Sequence, residues 1–322
     1  MEKRLNELIR IAINEAASDI HITQAKEMRL ECRVNKDFMK IPLKQNDNLL
    51  LNYLQYLTNM DISALAKPQS GTFNIEIDNV KYYCRFALIN SLSGRNGVIR
   101  IMNSDSKMSL NELVYKGEHR SIFKEWCSLE NGLVLFGGPT GAGKTTTAYS
   151  MLNQMNGRKI YTLEDPIEVY GSNIIQIQVN PAIGISYDEG IKQLLRHDPD
   201  VVMVGEIRDE ITARACVRCA LTGHLVISTI HAKDCISMLD RLQELGISVN
   251  TISTVLKGLA NQRLLKLTLL EKRVSIYEIY EQKDIQNYFQ DKKRKKEDFN
   301  YEVGYACYKN WISKEEQEKF TL

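Results

Sequence analysis

The sequence predicts an α/β protein, in which a small α+β domain with an antiparallel sheet precedes a larger domain with a parallel sheet. Three observations support this fold class. In the first 100 residues, apolar and polar residues alternate in short segments, as in strands with one buried face. After residue 109, fully apolar segments alternate with helical patterns, as in parallel sheets covered on both faces. One apolar segment runs through the glycine-rich turn GPTGAGKTT into a helix.

Length and composition narrow the class of protein. A chain of 322 residues exceeds the usual size of a single hydrophobic core, so we expect two domains. No apolar run approaches the roughly 18 residues needed to span a bilayer, and the N-terminus lacks the unbroken apolar core of a signal peptide. A net charge of only +2 does not indicate nucleic-acid binding. We therefore expect a cytosolic protein that contacts the membrane only peripherally.

The cysteines and the one basic cluster have plain structural interpretations. An odd number of scattered cysteines, seven in all, argues against a disulfide framework. Cys216 and Cys219 have CxxC spacing but lie in a helical pattern, so we interpret them as small residues packed on one helix. The run DKKRKKED at residues 291–298 is interpreted as a solvated loop, with a membrane or partner contact as the alternative.

The elements of the N-terminal domain follow from the spacing of its apolar residues. Apolar side chains at positions 5, 8, 9, 12, 13 and 16 predict a first helix with one buried face. The remaining predicted elements are an extended segment at residues 20–22, strands at 28–34, 73–77 and 82–88, a turn at 35–37 and a helix over roughly 47–59.

The larger domain begins after a polar stretch, NSDSK at residues 103–107, which we interpret as part of a linker. Ser109 and Glu112 have the spacing of a capping box, which predicts the start of a helix. Buried strands are predicted at residues 133–136, 160–163, 201–204 and 225–229. The predicted boundaries are an N-terminal domain over residues 1–102, a linker over 103–117 and a second domain over 118–322.

The glycine-rich turn predicts a site for a nucleoside triphosphate. Residues 138–145 fit the pattern GxxxxGK followed by Ser or Thr, between a predicted strand and a predicted helix. Such a turn wraps phosphates in backbone N–H groups, and the helix N-terminus adds positive potential. Lys144 is expected to bind the β- and γ-phosphates of ATP, and the Thr145 hydroxyl to ligate Mg²⁺. The predicted nucleotide-binding residues are Gly138, Pro139, Thr140, Gly141, Ala142, Gly143, Lys144, Thr145 and Thr146.

Three polar clusters, at residues 162–168, 198–209 and 222–231, are predicted to lie at the carboxyl ends of strands. The first and second clusters are acidic, and the third ends in a histidine. Because ligands bind at the carboxyl ends of the strands in an open parallel sheet, we expect the three clusters to converge on the triphosphate.

With the glycine-rich turn, these clusters resemble the Asp box, Walker B motif and His box of the secretion ATPases, the motor family of type II secretion and type IV pili (GspE, PilB and PilT). The segments ASDIHIT at residues 17–23 and ANQRL at 260–264 are also similar to segments of that family. The resemblance implies a RecA-like P-loop ATPase domain over residues 118–322, with a C-terminal helical region, and a PAS-like N-terminal domain.

The resemblance also implies roles for residues of the clusters. Gly205 stands at the usual position of the Walker B aspartate, so Glu206 is expected to orient or activate the attacking water and to contact Mg²⁺. Glu164 or Asp165 either completes the Mg²⁺ coordination or shares the role of base, and the sequence leaves both alternatives open. His231 is expected to contact the γ-phosphate.

Three arginines of the N-terminal domain are expected to act between subunits. The resemblance implies that Arg85, Arg95 or Arg100 reaches the ATP of a neighbouring subunit, where a planar cation stabilises charge on the transferring phosphoryl group. This layout implies a homohexameric ring with one ATP at each interface. Hydrolysis would then rotate the two domains against each other.

Departures from the family pattern favour one subgroup. Because ASDIHIT begins at residue 17, we expect the extra N-terminal domain of the larger secretion ATPases to be absent. Only Cys307 follows residue 263, so no zinc site built from two CxxC pairs is expected there. The sequence also lacks a motif resembling AIRNLIRE, with which the retraction motors end. These features favour the competence-pilus ATPases of Gram-positive bacteria, which assemble a pseudopilus needed for DNA uptake.

The partners follow from the same resemblance. It implies a polytopic membrane platform protein as the direct partner, pseudopilins reached indirectly, and no direct binding of nucleic acid. One alternative is a retraction motor or another type II secretion motor. Another is a RecA-like nucleic-acid translocase, which needs basic or aromatic loops facing a channel, and the near-zero net charge argues against it.

Overall fold

The computed structural model describes residues 1–34, 37–63, 67–102, 109–171, 173–180, 184–268 and 273–320. Within it the chain divides into two compact units, Met1–Ser104 and Asp105–Leu322. The predicted linker at 103–117 falls partly outside the described residues, because these resume at Ser109. Leu110, Leu113 and Val114 are buried in a hydrophobic core of the second unit.

The first unit is a six-stranded antiparallel sheet whose inner face is covered by two helices. The strand order is β3-β2-β1-β6-β5-β4. Its elements are α1 (Glu2–Asn14), β1 (Asp19–Gln24), β2 (Met28–Val34), β3 (Asp37–Lys40), a 3-10 turn (Asp47–Leu49), α2 (Leu50–Leu57), β4 (Gln69–Ile77), β5 (Val80–Ser91) and β6 (Gly94–Met102).

Apolar residues of α1 and α2 form one core with the inward-facing residues of the strands. At Gly97 on β6, an added Cβ would lie 2.5 Å from Leu51 Cδ2 on α2. A side chain there would force Leu51 to move, so glycine allows α2 to pack close to the strand.

The antiparallel sheet of the first unit confirms that part of the predicted fold class. Strands β3 and β6 were not predicted, because β3 has only four residues and glycines break the apolar pattern of β6. The predicted turn at 35–37 falls mostly on residues 35 and 36, which lie outside the described residues.

The second unit is built on a seven-stranded sheet in the order β13-β12-β7-β11-β10-β8-β9. Every neighbouring pair in it is parallel except β12 and β13. Its strands are β7 (Gly132–Gly137), β8 (Ile160–Glu164), β9 (Ile174–Gln178), β10 (Val201–Val204), β11 (Leu225–Ile230), β12 (Leu256–Lys266) and β13 (Arg273–Glu281). Its helices are α3 (Leu110–Leu113), α4 (Gly117–Ser128), α5 (Lys144–Leu152), α6 (Tyr187–Leu194), α7 (Glu210–Leu221), α8 (Cys235–Glu244), α9 (Val249–Val255), α10 (Gln282–Asp291), α11 (Phe299–Tyr308) and α12 (Lys314–Phe320).

The parallel α/β sheet confirms the predicted class of the second domain, with one addition. The sequence predicted a helical region at the C-terminus, whereas β12 and β13 add an antiparallel pair to the sheet before the last three helices. Most residues of both strands are buried on both faces, so they show no alternation that would predict strands.

Two local expectations concern helices and cysteines. The Glu112 carboxylate accepts the backbone N–H of Ser109 at 2.7 Å, as the capping-box spacing predicted. Cys216 and Cys219 are buried on α7, and all seven cysteines, which fall within the described residues, are free thiols. In the part of the chain that the structure describes, no helix is both long and apolar enough to cross a membrane.

Candidate nucleotide site

A cleft of about 560 Å³ lies at the carboxyl ends of the central strands of the second unit. Parallel strands β7, β8, β10 and β11 all end at this edge, so the segments that follow them meet there. The residues lining the cleft are Thr140, Gly141, Ala142, Gly143, Lys144, Thr145, Thr146, Glu164, Asp165, Pro166, Glu168, Tyr187, Met203, Gly205, Glu206, Arg208, Thr229, His231 and Leu264.

The glycine-rich turn connects β7 to α5 and needs glycine at three positions. Gly138, Gly141 and Gly143 have φ values of +141°, +75° and +86°, which side chains rarely adopt. At Gly138 an added Cβ would also lie 2.5 Å from the backbone oxygen of Gln262 on β12. The turn is therefore both bent by its glycines and packed directly against the neighbouring strand.

Lys144 is the first residue of α5, and its side chain is folded back over the turn. Its Nζ donates hydrogen bonds to the backbone oxygens of Gly138 at 2.9 Å and Pro139 at 3.0 Å. Burial of this side chain, which is only 9% exposed, lowers the pKa of Lys144. The site thus keeps a buried amine at the wall of the cleft, with carbonyl groups as its hydrogen-bond partners.

The Glu206 carboxylate lies between two basic side chains at the cleft. Its Oε2 accepts a hydrogen bond from Arg208 Nε at 2.8 Å, and its Oε1 is 3.1 Å from His231 Nε2. Arg208 Nη1 also lies 3.9 Å from Asp165 Oδ2, so the same guanidinium spans both acidic segments. The hydrogen bond to Glu206 is the main cause that raises the pKa of Arg208.

Glu164, the last residue of β8, has a different environment. It is only 3% exposed, and its Oε1 accepts hydrogen bonds from the hydroxyl groups of Tyr149 at 2.5 Å and Thr162 at 2.6 Å. Burial is the largest influence and raises the pKa of Glu164, while these hydrogen bonds act in the opposite direction. The two acids of the cleft are thus distinct: Glu206 is held by Arg208 and His231, and Glu164 by hydroxyl groups.

A buried polar network fixes α5 against the antiparallel pair. The Thr147 hydroxyl lies 3.0 Å from both Gln262 Oε1 and the Tyr277 hydroxyl. Gln262 in turn donates to Ser275 Oγ at 3.1 Å. Gln262 and Tyr277 are each more than a hundred residues from Thr147 in the chain, so no local pattern could have predicted their contacts with it. The signal for Gln262 was the family segment ANQRL.

The same segment also supports the loop that begins at His231. Asn261 Nδ2 donates to the backbone oxygen of Ala232 at 3.1 Å, and Arg263 Nη2 donates to that of Lys233 at 2.6 Å. Hydrogen bonds from β12 therefore fix the backbone directly after His231. Neither Asn261 nor Arg263 was singled out from the sequence.

Parts of two predicted clusters lie away from the cleft. Asp198 and Asp200 precede β10, and Thr222 and His224 precede β11, so they lie at the opposite edge of the sheet. His224 Nδ1 is 3.1 Å from the Thr222 hydroxyl and from the backbone oxygen of Cys219. His224 therefore lies outside the cleft and contacts the end of α7. Thr229 and His231, at the other end of β11, line the cleft.

The three arginines proposed to act between subunits lie on two faces of the first unit's sheet. Arg85 and Arg100 are directly opposite each other on β5 and β6, on the face away from the helices. The Nε of Arg100 donates to Asp19 Oδ1 at 2.8 Å, and this arginine is 65% exposed. Arg85 makes no side-chain hydrogen bond or ion pair with any residue that the structure describes.

Arg95 lies on the face that the helices cover. Its guanidinium donates to Asn52 Oδ1 at 2.6 Å and to the side-chain oxygen of Gln55, both on α2. Burial lowers the pKa of Arg95. Two amide oxygens of its own unit thus occupy this arginine.

Residues 1–309 match the family described as Type II/IV secretion system protein. The chain belongs to this family. It is similar to the Competence protein ComGA of Bacillus subtilis, with 32% identity over 94% of this chain and 91% of that one. It is also similar to the Type II secretion system ATPase E of Vibrio cholerae, with 36% identity over 82% of this chain. The chain spans about half, 54%, of the length of that relative.

Solved structures show the same family likeness. The pilus retraction motor PilT with bound ADP has a TM-score of 0.79 and 26% identity, covering 98% of this chain and 96% of that one. The ATPase DotB of Legionella pneumophila has a TM-score of 0.71 over 99% of this chain and 95% of that one, at 19% identity, and shares the fold. The chain is thus a nucleotide-binding ATP hydrolase of the secretion and pilus type.

Potential metal ligands form no cage in the part of the chain that the structure describes. Among the described residues, no group of three or more His, Cys, Asp or Glu side chains is arranged to hold a metal ion. The absence of structural zinc stays a prediction from the sequence. The cleft does contain hydroxyl and carboxylate oxygens, which are the ligands that Mg²⁺ prefers.

Proposed function

We propose that this protein is a homohexameric motor that hydrolyses ATP to assemble a competence pseudopilus. The observation that carries the catalytic part is the cleft itself, which brings the Lys144 amine and the Glu206 carboxylate together at the end of a parallel sheet. The competence part rests on the likeness to ComGA, which extends over 91% of that protein's length.

In this proposal the glycine-rich turn and Lys144 bind the phosphates of ATP. The first residues of α5 line the cleft, and the N-terminal end of a helix dipole stabilises an anion there. The Lys144 amine exchanges its two carbonyl partners for phosphate oxygens. Thr145, Asp165 and Glu206 supply oxygens that fit Mg²⁺, which would neutralise charge on the phosphates.

Glu206 is the proposed base. Arg208 and His231 contact one carboxylate oxygen each, so the carboxylate is held in a defined orientation at the cleft. An oriented carboxylate can position the attacking water and accept its proton. Glu164 is the alternative base, but hydroxyl donors already occupy its Oε1.

Arg85 and Arg100 are the proposed donors of positive charge to a neighbouring subunit's ATP. They lie side by side on the open face of the sheet, whereas Arg95 is bound to α2. A guanidinium that enters a phosphoryl-transfer site between subunits makes hydrolysis depend on the ring. This supports a homohexamer, in which hydrolysis would turn one domain against the other.

The catalytic proposal is tested by two variants of the cleft. Glu206→Gln should bind ATP with near-normal affinity but lose about 10²- to 10⁴-fold in turnover, because the carboxylate no longer accepts a proton. Lys144→Ala should lose ATP binding as well, because the phosphates lose their fixed cation. Calorimetric titration with ATP and a phosphate-release assay separate the two effects. If Glu206→Gln hydrolyses ATP at the wild-type rate, the role of base passes to Glu164.

The cellular proposal places the motor at the cytoplasmic face of the membrane. There it would bind a polytopic platform protein and act on pseudopilins indirectly, without contacting DNA. A strain carrying Lys144→Ala should still make pilin but assemble no surface filament, and it should lose transformation. The measurements are filament counts by microscopy and transformation frequency at matched protein levels. Normal transformation, with no second copy of the gene, would contradict the competence role and leave the ATPase intact.

The structural likeness to PilT, at 26% identity, supports a retraction motor as the second candidate. The same strain distinguishes the two, because a retraction defect leaves long surface filaments whereas an assembly defect leaves none. A nucleic-acid translocase is tested separately, by asking whether single-stranded DNA raises the ATPase rate of the purified protein.

A further inference from the structure

We propose that Tyr149 and Gln176 are positioning residues that hold the Glu164 carboxylate in one orientation at the nucleotide cleft. The proposal rests on the function proposed above and deepens it, since it gives Glu164 a defined place in the site. It is carried by a chain of short hydrogen bonds that joins α5, β8 and β9 beneath the cleft.

The direction of the hydrogen bonds in this chain follows from the groups that form it. Gly171 donates its backbone N–H to Gln176 Oε1 at 3.0 Å, so the Nε2 of this amide faces the other way. That Nε2 donates to the backbone oxygen of Val169 at 2.7 Å and to the Tyr149 hydroxyl at 2.6 Å. The phenol oxygen therefore accepts from Gln176, and its single proton is directed to Glu164 Oε1 at 2.5 Å.

The Glu164 carboxylate is fixed through one of its two oxygens. The Thr162 hydroxyl donates to the same oxygen at 2.6 Å, so two O–H groups point at Oε1 of one buried acid. Rotation of the carboxylate would break the hydrogen bonds from both Tyr149 and Thr162.

This series of hydrogen bonds also links two segments that border the cleft. Tyr149 is on the helix that begins with Lys144, and Gln176 pairs with Thr162 across the neighbouring strands β8 and β9. Gln176 holds the backbone at Val169 and Gly171, just beyond the segment carrying Asp165 and Glu168. A shift of α5 would consequently move the donor that orients Glu164.

Packing alone does not require the phenol group. The Tyr149 side chain is fully buried among apolar residues, where the ring fills space as a phenylalanine would. Only its hydroxyl contacts Glu164 and Gln176, so Tyr149→Phe removes the proposed function and keeps the ring.

The test compares Tyr149→Phe with Tyr277→Phe. Tyr277 is equally buried, and its hydroxyl lies 3.0 Å from Thr147 on the same helix, but it has no contact with Glu164. In Tyr149→Phe we expect near-normal affinity for a non-hydrolysable ATP analogue and a loss of about tenfold in kcat. KM for ATP should stay close to the wild-type value, because the phosphate-binding turn is unchanged. In Tyr277→Phe, kcat should stay close to the wild-type value.

A second variant covers the case in which Tyr149→Phe does not fold. Gln176→Leu removes the donor behind the phenol and should lower kcat by a smaller factor, again with near-normal affinity for the analogue. A wild-type kcat in either folded variant, or the same loss of kcat in Tyr277→Phe, would overturn the proposal.

Glu164→Gln separates this proposal from the proposed function. If Glu164→Gln is impaired while Tyr149→Phe behaves as wild type, Glu164 acts in the cleft without these positioning residues. If Glu164→Gln has a wild-type kcat, the role proposed for Glu164 itself fails, and the positioning proposal fails with it.

Discussion

Gly138 and Gly141 belong to the same turn, yet a methyl group would meet different surroundings at each. An added Cβ at Gly141 has no atom within 4 Å, so Gly141→Ala should cost only the backbone strain of a positive φ, about 1–2 kcal/mol. At Gly138 the φ of +141° and the oxygen of Gln262 both exclude a side chain. We expect Gly138→Ala to lose ATP binding and Gly141→Ala to retain much of it.

Thermal unfolding followed by circular dichroism, together with titration of a fluorescent ATP analogue, checks this pair of variants. The drop in unfolding temperature should be clearly larger for Gly138→Ala. Equal drops and equal affinities would mean that the contact between the turn and β12 does not constrain the site.

At the residue scale, the sequence was most informative where chemistry is local. The turn, its lysine and the acids that follow β8 and β10 could be named from motifs, and they line one cleft. Tyr149, Gln176 and Gln262 could not be named, because each acts through a partner that is distant in the chain and no periodic pattern marks it. Their polar atoms become informative only when burial shows which groups they must satisfy.

At the scale of elements, helix α8 depends on an acid from strand β13. Glu278 is 3% exposed, and its Oε2 accepts the backbone N–H of Cys235, the first residue of α8, at 2.9 Å. Burial raises the pKa of Glu278 to about 7, and the nearby acids Asp234 and Asp298 add to this effect. The folded protein therefore retains a proton at this site that the unfolded chain releases near its usual pKa of 4.5.

The stability contributed by this proton is fully present below pH 4.5 and is lost as the pH rises through about 7. Glu278→Gln keeps an oxygen for the N–H of Cys235 without the ionisation. At pH 8 we expect the free energy of unfolding of Glu278→Gln to exceed that of the wild type by up to about 3 kcal/mol, with a correspondingly higher unfolding temperature. This difference should become smaller as the pH falls towards 5. Calorimetric scans across this range measure the gap, and a gap independent of pH would contradict the assignment.

Strands could be predicted from the sequence where their buried residues are mainly apolar. Strands β10 and β11 are buried throughout and lie in the middle of the sheet, and their boundaries were predicted within about two residues. Strand β12 escaped prediction because Asn261 and Gln262 are buried in it as structural braces. Polar residues in a sequence are typical of loops, so a buried strand that contains them is not recognised as a strand from the sequence alone.

At the scale of the whole molecule, the three arginines should differ in what their loss does. Arg85→Ala and Arg100→Ala should reduce ATPase activity while leaving ATP binding intact, because each chain's own phosphate site is unchanged. Arg95→Ala should instead lower the unfolding temperature of the N-terminal unit, because it removes contacts to Asn52 and Gln55. ATPase assays and thermal unfolding of the three variants make this comparison.

Mixing experiments extend the same prediction to the assembly. If an arginine acts on a neighbour's ATP, adding Lys144→Ala subunits to Arg100→Ala subunits should restore activity only at interfaces that combine an intact arginine with an intact lysine. Activity should therefore follow the statistics of subunit mixing. Full activity of the double variant lacking Arg85 and Arg100 would eliminate action between subunits by these residues.

The two carbonyl groups that hold the Lys144 amine have a consequence for the timing of the motor. When spent nucleotide departs, a buried ammonium without partners would carry a large desolvation penalty, and that penalty would slow the departure. Gly138 and Pro139 provide the amine with hydrogen-bond partners inside the turn itself. If ATP binds as proposed, release of the nucleotide is an exchange of hydrogen-bond partners for Lys144 rather than a loss of them.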